Sequence, residues 1–173
     1  YGITTSNTFL LDKQFGWRGI LAEPARRWQE DLKRNRSCYV DTSCVWTASN
    51  QIIQFQEHEI GECSSIAEYS TANSSTQGHR KQKVYDVPTL SLTDLLEKFN
   101  APSVVDYLSI DTEGCEYSIL KAFDFSKYQV RVITCEHNYT PSREMCYDLL
   151  TQNGYVRKLE GFSKVDDWYV LRD

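Results

Sequence analysis

Five acidic or imidazole side chains of the 173-residue chain sit where short apolar runs stop, the place in an α/β protein where chemistry is usually done. In VDYLSIDTEGCEY, an apolar run ends on Asp111, and Glu113 follows two residues later in a small, polar turn. In WRGILAEP the run ends on Glu23, and in VRVITCEHN it ends on Glu136 and His137. A carboxylate at such a position can accept both ribose hydroxyls of a nucleoside, which is the expectation for Glu23. Asp111 and Glu136 can act as acid and base toward a substrate hydroxyl, or hold a hard divalent cation such as Mg through oxygen. The competing reading is structural: Asp111 and Glu113 as ordinary caps of the next helix, Glu23 as helix N-terminal electrostatics ahead of Pro24, and His137 as a strand-end hydrogen bond.

The elements that must position these groups follow from periodicity. Val104, Val105, Tyr107, Leu108 and Ile110 predict a buried strand, and Glu116, Tyr117, Ile119, Leu120 and Phe123 recur as one face of a helix. Phe9, Leu10, Leu11 and Phe15 predict a first helix capped by Thr5 or Ser6 and ended by Gly16. A strand over residues 17–22 leads into a helix begun by Pro24, with Trp28 and Leu32 as its apolar edge. Residues 37–55 read as strands with a turn at Ser49 and Asn50. The polar stretch 56–83 reads as a flexible flap beside the site. Val84 to Leu90 reads as an edge strand because Pro88 cannot donate to a central ladder. Leu92, Leu95, Leu96 and Phe99 predict a helix capped near Ser91 or Thr93, and Met145, Leu149 and Leu150 predict another that stops at Gly154. YVRKL and DDWYVLRD close the chain as an antiparallel hairpin.

Strands alternating with helices predict an α/β fold: a three-layer, doubly wound, mostly parallel sheet in one domain spanning 1–173, with a C-terminal antiparallel hairpin. In that arrangement Glu23, Asp111 and Glu136 would gather on one rim. The net charge of −5 and the mixing of basic with acidic residues argue against a nucleic-acid partner. No apolar run reaches the ~20 residues that span a bilayer, so no membrane partner is expected. The six scattered cysteines lack metal-finger spacing and read as buried free thiols of a reducing, cytoplasmic compartment.

SNTFLLDKQFGWRGILAEP, LSIDTEGCEYSIL, ITCEHN and DDWYVLRD together resemble the FkbM-type methyltransferases, over nearly the whole chain and in the same order. The resemblance implies a Rossmann-like class I methyltransferase fold, S-adenosylmethionine as cofactor, and methyl transfer to oxygen on a small-molecule or sugar hydroxyl. It implies that Glu23 grips the adenosine ribose, that Ser43 and Cys44 lie near the adenine, and that Gly2, Ser6 and Asp111 complete the cofactor site. Asp111, Glu113, Glu136 and His137 would then be the catalytic group, with Asp111 and Glu136 as ligands of a metal. The family's glycine-rich loop, roughly DIGANDG, falls just ahead of Gly2 and Ile3, so the resemblance also implies an N-terminally truncated domain that binds its cofactor poorly. Two other readings remain open: a non-catalytic nucleoside-binding module or inactive fragment, and an NAD-dependent oxidoreductase, which would need a GxGxxG turn that this sequence does not contain.

Overall fold

The computed structural model describes Ile3 and residues 6–58, 64–66 and 82–172. The chain divides into two compact units, Tyr1–Val45 with Ser49–Leu90 and Trp46–Ala48 with Ser91–Asp173, and each is described by itself.

The first unit opens with α1 (Phe9–Lys13), whose N-cap is Thr8, with no side-chain cap bond, rather than Ser6. The expected alternative cap, Thr5, lies outside the described residues. Ser6 instead accepts a hydrogen bond from Arg36 Nη1 at 3.1 Å. Gly16 adopts φ 67°, the left-handed ending its position predicts. β1 (Ile20–Ala22) and β2 (Tyr39–Asp41) pair in parallel with Ala22 opposite Asp41, joined through α2 (Arg26–Asn35), which buries Leu32. Beneath α1, Arg36 Nε lies 2.8 Å from Asp12, with side chains 2% and 5% exposed, and Ser37 N–H also donates to that carboxylate. The same guanidinium donates to the Thr8 carbonyl and hydroxyl, so the buried charge is fully engaged.

From Cys44 onward the first unit departs from the alternating pattern. β3 (Cys44–Trp46), β4 (Ile52–His58), β5 (Ser65–Ile66) and β6 (Gln82–Ser91) form one sheet in the order β3-β6-β4-β5. β4 runs antiparallel to both β5 and β6. Among the described residues no helix separates these strands, and antiparallel pairing needs no helical crossover, so the expected doubly wound parallel sheet is replaced here by a mixed arrangement. The 56–83 flap is corrected at both ends: residues 56–58 continue β4, Ser65 and Ile66 form β5, and residues 82–83 begin β6, while 59–63 and 67–81 lie outside the described residues. Polarity concealed the strand. Phe55 and Glu57 are its buried face, and Glu57 is tolerated there because Tyr85 Oη donates to it at 2.7 Å and Arg27 N–H at 3.3 Å.

β6 is interior, not an edge. Thr89 N–H donates to the Gln51 carbonyl at 2.9 Å and its carbonyl accepts from Asn50 N–H, so the backbone groups of Pro88 face the β3 side and the β4 ladder loses nothing. Asn50 takes φ 61° in the turn predicted there.

The second unit holds α3 (Leu92–Lys98), β7 (Val104–Ile110), α4 (Glu116–Ala122), β8 (Gln129–Glu136), α5 (Ser142–Gln152), β9 (Tyr155–Lys158) and β10 (Asp166–Leu171). Ser91 caps α3 as expected, its hydroxyl accepting from Asp94 N–H at 3.1 Å. The sheet order is β7-β8-β10-β9, with β7 parallel to β8 and β10 antiparallel to both β8 and β9. Thus the C-terminal hairpin forms as read, and the β7–α4–β8 crossover is the parallel segment of this unit. Ile119 and Leu120 of α4, Ile133 and Cys135 of β8, Cys146 and Leu150 of α5, and Tyr155 and Tyr169 supply its core. Full burial of Ile133 or Leu150 contributes roughly 1.5–3 kcal/mol each. Tyr155 keeps its hydroxyl satisfied inside that core by donating to the Val130 carbonyl at 2.8 Å.

Candidate functional site

The parallel register of β7 and β8 aligns Ile110 with Cys135, so Asp111 and Glu136 emerge side by side at adjacent strand ends. Their carboxyl groups face each other, with one oxygen of each within 4.8 Å of the other. Glu136 is 9% exposed. Burial, the charge of Asp111 and the hydrogen bond to it, with further push from Glu113 and Glu116, raise Glu136 to about 9. Asp111 keeps an exposed edge, yet the crowding that withdraws water from its carboxyl also raises its pKa, against the Glu136 hydrogen bond that lowers it. With its pKa raised to about 9, Glu136 keeps its proton at neutral pH beside the Asp111 carboxyl group. Glu113 approaches within the same space: one oxygen from each of Asp111, Glu113 and Glu136 lies within 4.8 Å of the others.

Glu113 is not a helix cap. The N-cap of α4 is Cys115, without a side-chain cap bond, and Glu113 itself adopts φ 57° ahead of Gly114 at φ 114°. A second left-handed pair, Asn138 at φ 41° and Tyr139 at φ 57°, follows β8. Strained non-glycine backbone at two neighbouring strand ends is the kind of conformation that accumulates at functional sites.

His137 is turned inward. Its side chain is 2% exposed, its Nδ1 accepts from Tyr139 N–H at 3.0 Å, and its Nε2 lies 3.7 Å from Asp167. With Nδ1 as acceptor the proton resides on Nε2. Burial lowers the imidazole pKa, against the Asp167 charge that raises it. Asp167 is itself gripped by Arg143 through two bonds of 2.8 and 2.7 Å and approached by Arg157 at 3.4 Å. Burial alone would raise the Asp167 pKa, but the Arg143 hydrogen bond and charge hold it below the usual carboxylate range. The arrangement makes His137 the anchor of its loop, and its carbonyl accepts from both the N–H and the hydroxyl of Thr140.

The first unit assembles a separate group at the carboxyl end of its parallel pair. Glu23 follows β1 and its Oε1 accepts from Ala25 N–H at 2.8 Å. Across the pair, Asp41 ends β2 and accepts from Ser43 N–H at 2.8 Å. Cys44 is buried, and burial together with the Glu23 charge pushes its thiol up to about 12. Glu23, Asp41, Ser43 and Cys44 thus share one strand-end environment. Ser6 is engaged with Arg36 as described, and Gly2 lies outside the described residues. Of the three acids expected on one rim, Glu23 belongs to the first unit and Asp111 and Glu136 to the second.

The family model described as the Methyltransferase FkbM domain matches residues 1–168. The chain belongs to this methyltransferase family. No curated protein and no solved structure gives a match. The FkbM domain therefore carries a methyltransferase assignment from its family, with its acidic strand-end cluster supplied by the IDTEG and EHN segments.

Chemically, the cluster of the FkbM domain can shuttle a proton, since a protonated carboxyl beside a second carboxyl offers both an acceptor and a donor. Its three oxygens also suit a hard divalent cation, which would have to displace the Glu136 proton to bind. Three acidic residues escaped the sequence reading. Asp166 pairs opposite Glu136 in the β8–β10 ladder and adds charge to Asp111. Asp167 lies 3.7 Å from His137 Nε2, and the only sequence signal for either was the acidic pair opening DDWYVL. Glu116 is the third. Among the described residues five cysteines are free and four of them are buried, matching the thiol reading, and no described helix is long and apolar enough to cross a membrane.

Proposed function

We propose that this FkbM domain transfers a methyl group from S-adenosylmethionine to a hydroxyl oxygen on a small molecule or sugar. The observation supporting it is the placement of the Asp111 and Glu136 carboxyls together at adjacent strand ends, an arrangement suited to an acceptor whose hydroxyl must lose its proton as the new O–C bond forms. S-adenosylmethionine supplies an electrophilic methyl on sulfur, whose departing C–S electron pair stays with the sulfur. Asp111 accepts the hydroxyl proton, while Glu136, already protonated, lies beside the Asp111 carboxylate. Glu113 flanks the acceptor oxygen. His137 acts through the loop it anchors rather than on the substrate. In the other unit, the carboxylate of Glu23 fits the ribose hydroxyls, with Asp41, Ser43 and Cys44 beside it. A divalent ion, where one binds, would be held by Asp111, Glu113 and Glu136 and would offset their crowded charge.

The test is a screen of hydroxylated sugars and small metabolites with labelled S-adenosylmethionine, run on the full chain and on Asp111→Asn. Methyl transfer to oxygen by the first, with a loss of at least about 100-fold in the second, is the expected result. Calorimetric binding of S-adenosylhomocysteine without transfer to any acceptor would instead make the chain a nucleoside-binding module. Undiminished turnover in Asp111→Asn would remove that residue from the chemistry.

A further inference from the structure

The turn that carries Glu113 is built around a carboxylate that the proposed reaction does not consume. Glu116 is 2% exposed. Its Oε1 accepts from Thr112 N–H at 2.7 Å, from the Thr112 hydroxyl at 2.9 Å and from Gly114 N–H at 3.2 Å, while Oε2 accepts from the same Gly114 N–H at 3.1 Å. These bonds bracket Glu113 on both sides and fix it in its left-handed conformation, φ 57°. A methyl group built on Gly114 would meet nothing within 4 Å, so no neighbouring atom presses on the turn at that residue.

Ordinary helix capping does not account for the arrangement. In a capping box the acidic residue lies three positions inside the helix and reaches back to the N-cap N–H. Glu116 is instead the first residue of α4, and it bonds residues 112 and 114, which precede the N-cap Cys115. It serves the turn more than the helix.

We propose that Glu116 is a positioning residue for methyl transfer, its carboxylate locking the turn between β7 and α4 so that Glu113 stays beside the Asp111–Glu136 pair. This rests on the methyl-transfer reading above. The charge of Glu116 acts in the same direction, since it is among the influences that raise both Asp111 and Glu136.

Glu116→Ala removes every bond to the turn. Glu116→Gln keeps the oxygen that serves Thr112 and turns a donor toward Gly114. Amide hydrogen exchange of the full chain reads the turn directly, and kcat and KM for S-adenosylmethionine, with the acceptor found in the screen, read its consequence. In Glu116→Ala the Thr112 and Gly114 amides are expected to exchange at least about tenfold faster while those of Ile119 and Leu120 keep their protection. Misplacement of Glu113 should lower kcat by roughly 100-fold with KM near the wild-type value. Glu116→Gln should loosen Gly114 alone, which keeps only its 3.2 Å bond to the retained oxygen, and fall between the two in kcat, and it decides the matter if the alanine variant does not fold. Wild-type kcat in a variant whose Gly114 amide has been freed would overturn the proposal, as would loss of protection throughout α4. If the screen yields no acceptor, the methyl-transfer reading fails, and the exchange measurement still reports whether Glu116 holds the turn.

Discussion

Glu136 gives the site a pH signature. Its folded-state pKa of about 9 stands above the ordinary 4.5, so between those values the folded protein keeps a proton that the unfolded chain has released. The stabilising contribution is complete below the unfolded value and is lost as pH rises toward 9, with a slope of up to about 1.4 kcal/mol per pH unit. Glu136→Gln keeps a neutral donor toward Asp111 and abolishes that slope. Thermal melts at about pH 5 and about pH 8.5 are expected to differ less in the variant, with the variant the more stable at the higher pH. An unchanged difference would mean that Glu136 does not keep its proton. Asp111, Glu113 and Glu136 were legible in the sequence because each falls at or just past the end of an apolar run, where a carboxylate has few structural excuses. Glu116 was not. An acid in the first turn of a helix is common, and nothing in the spelling of TEGCE says that its carboxylate folds back over the residues before it.

Among the elements, β8 bears the most weight. Ile133 is 0% exposed, and the same strand pairs with both β7 and β10 and ends in Glu136. Ile133→Ala is expected to cost about 2–5 kcal/mol in denaturant unfolding, while the smaller change Ile133→Val costs about 0.5–1.5 kcal/mol. A loss under about 0.5 kcal/mol for the alanine variant would show that the core there collapses to fill the gap. Period-based reading succeeded where one face was plainly apolar: the β7–α4–β8 crossover, the C-terminal hairpin and the helix capped by Ser91. It failed where burial was polar. Gln56, Glu57 and His58 lie in β4, and a polar strand end whose buried carboxylate is satisfied by a tyrosine and a helix N–H looks, letter by letter, like a loop. Pro88 misled in the opposite sense, because its missing donor matters only toward one of its two neighbours.

For the molecule as a whole, the expected single doubly wound sheet gave way to three sheets among the described residues, where the described parts of the stretch from Cys44 to Leu90 supply strands and no helix. Stability is also shared unevenly. In the first unit Asp12 and Arg36 form a buried ion pair. Burial would raise the Asp12 pKa, but the Arg36 and Ser37 hydrogen bonds and the Arg36 charge hold it down. Arg36→Ala strands that carboxylate and is expected to cost about 3–5 kcal/mol, whereas removing both partners together, with apolar residues of similar volume, should cost far less. A double-mutant cycle read by urea denaturation checks this, and purely additive losses would contradict it.

The division of the chain also has a temporal side. Trp46, Thr47 and Ala48 belong to the second unit but are flanked by residues of the first. During synthesis from the N-terminus, the sheet that takes in Trp46 through β3 can form once β6 has emerged, whereas the β7–β8 pair that carries Asp111 and Glu136 comes later. The strands that end in acid in the second half are thus the last parallel pair to leave the ribosome.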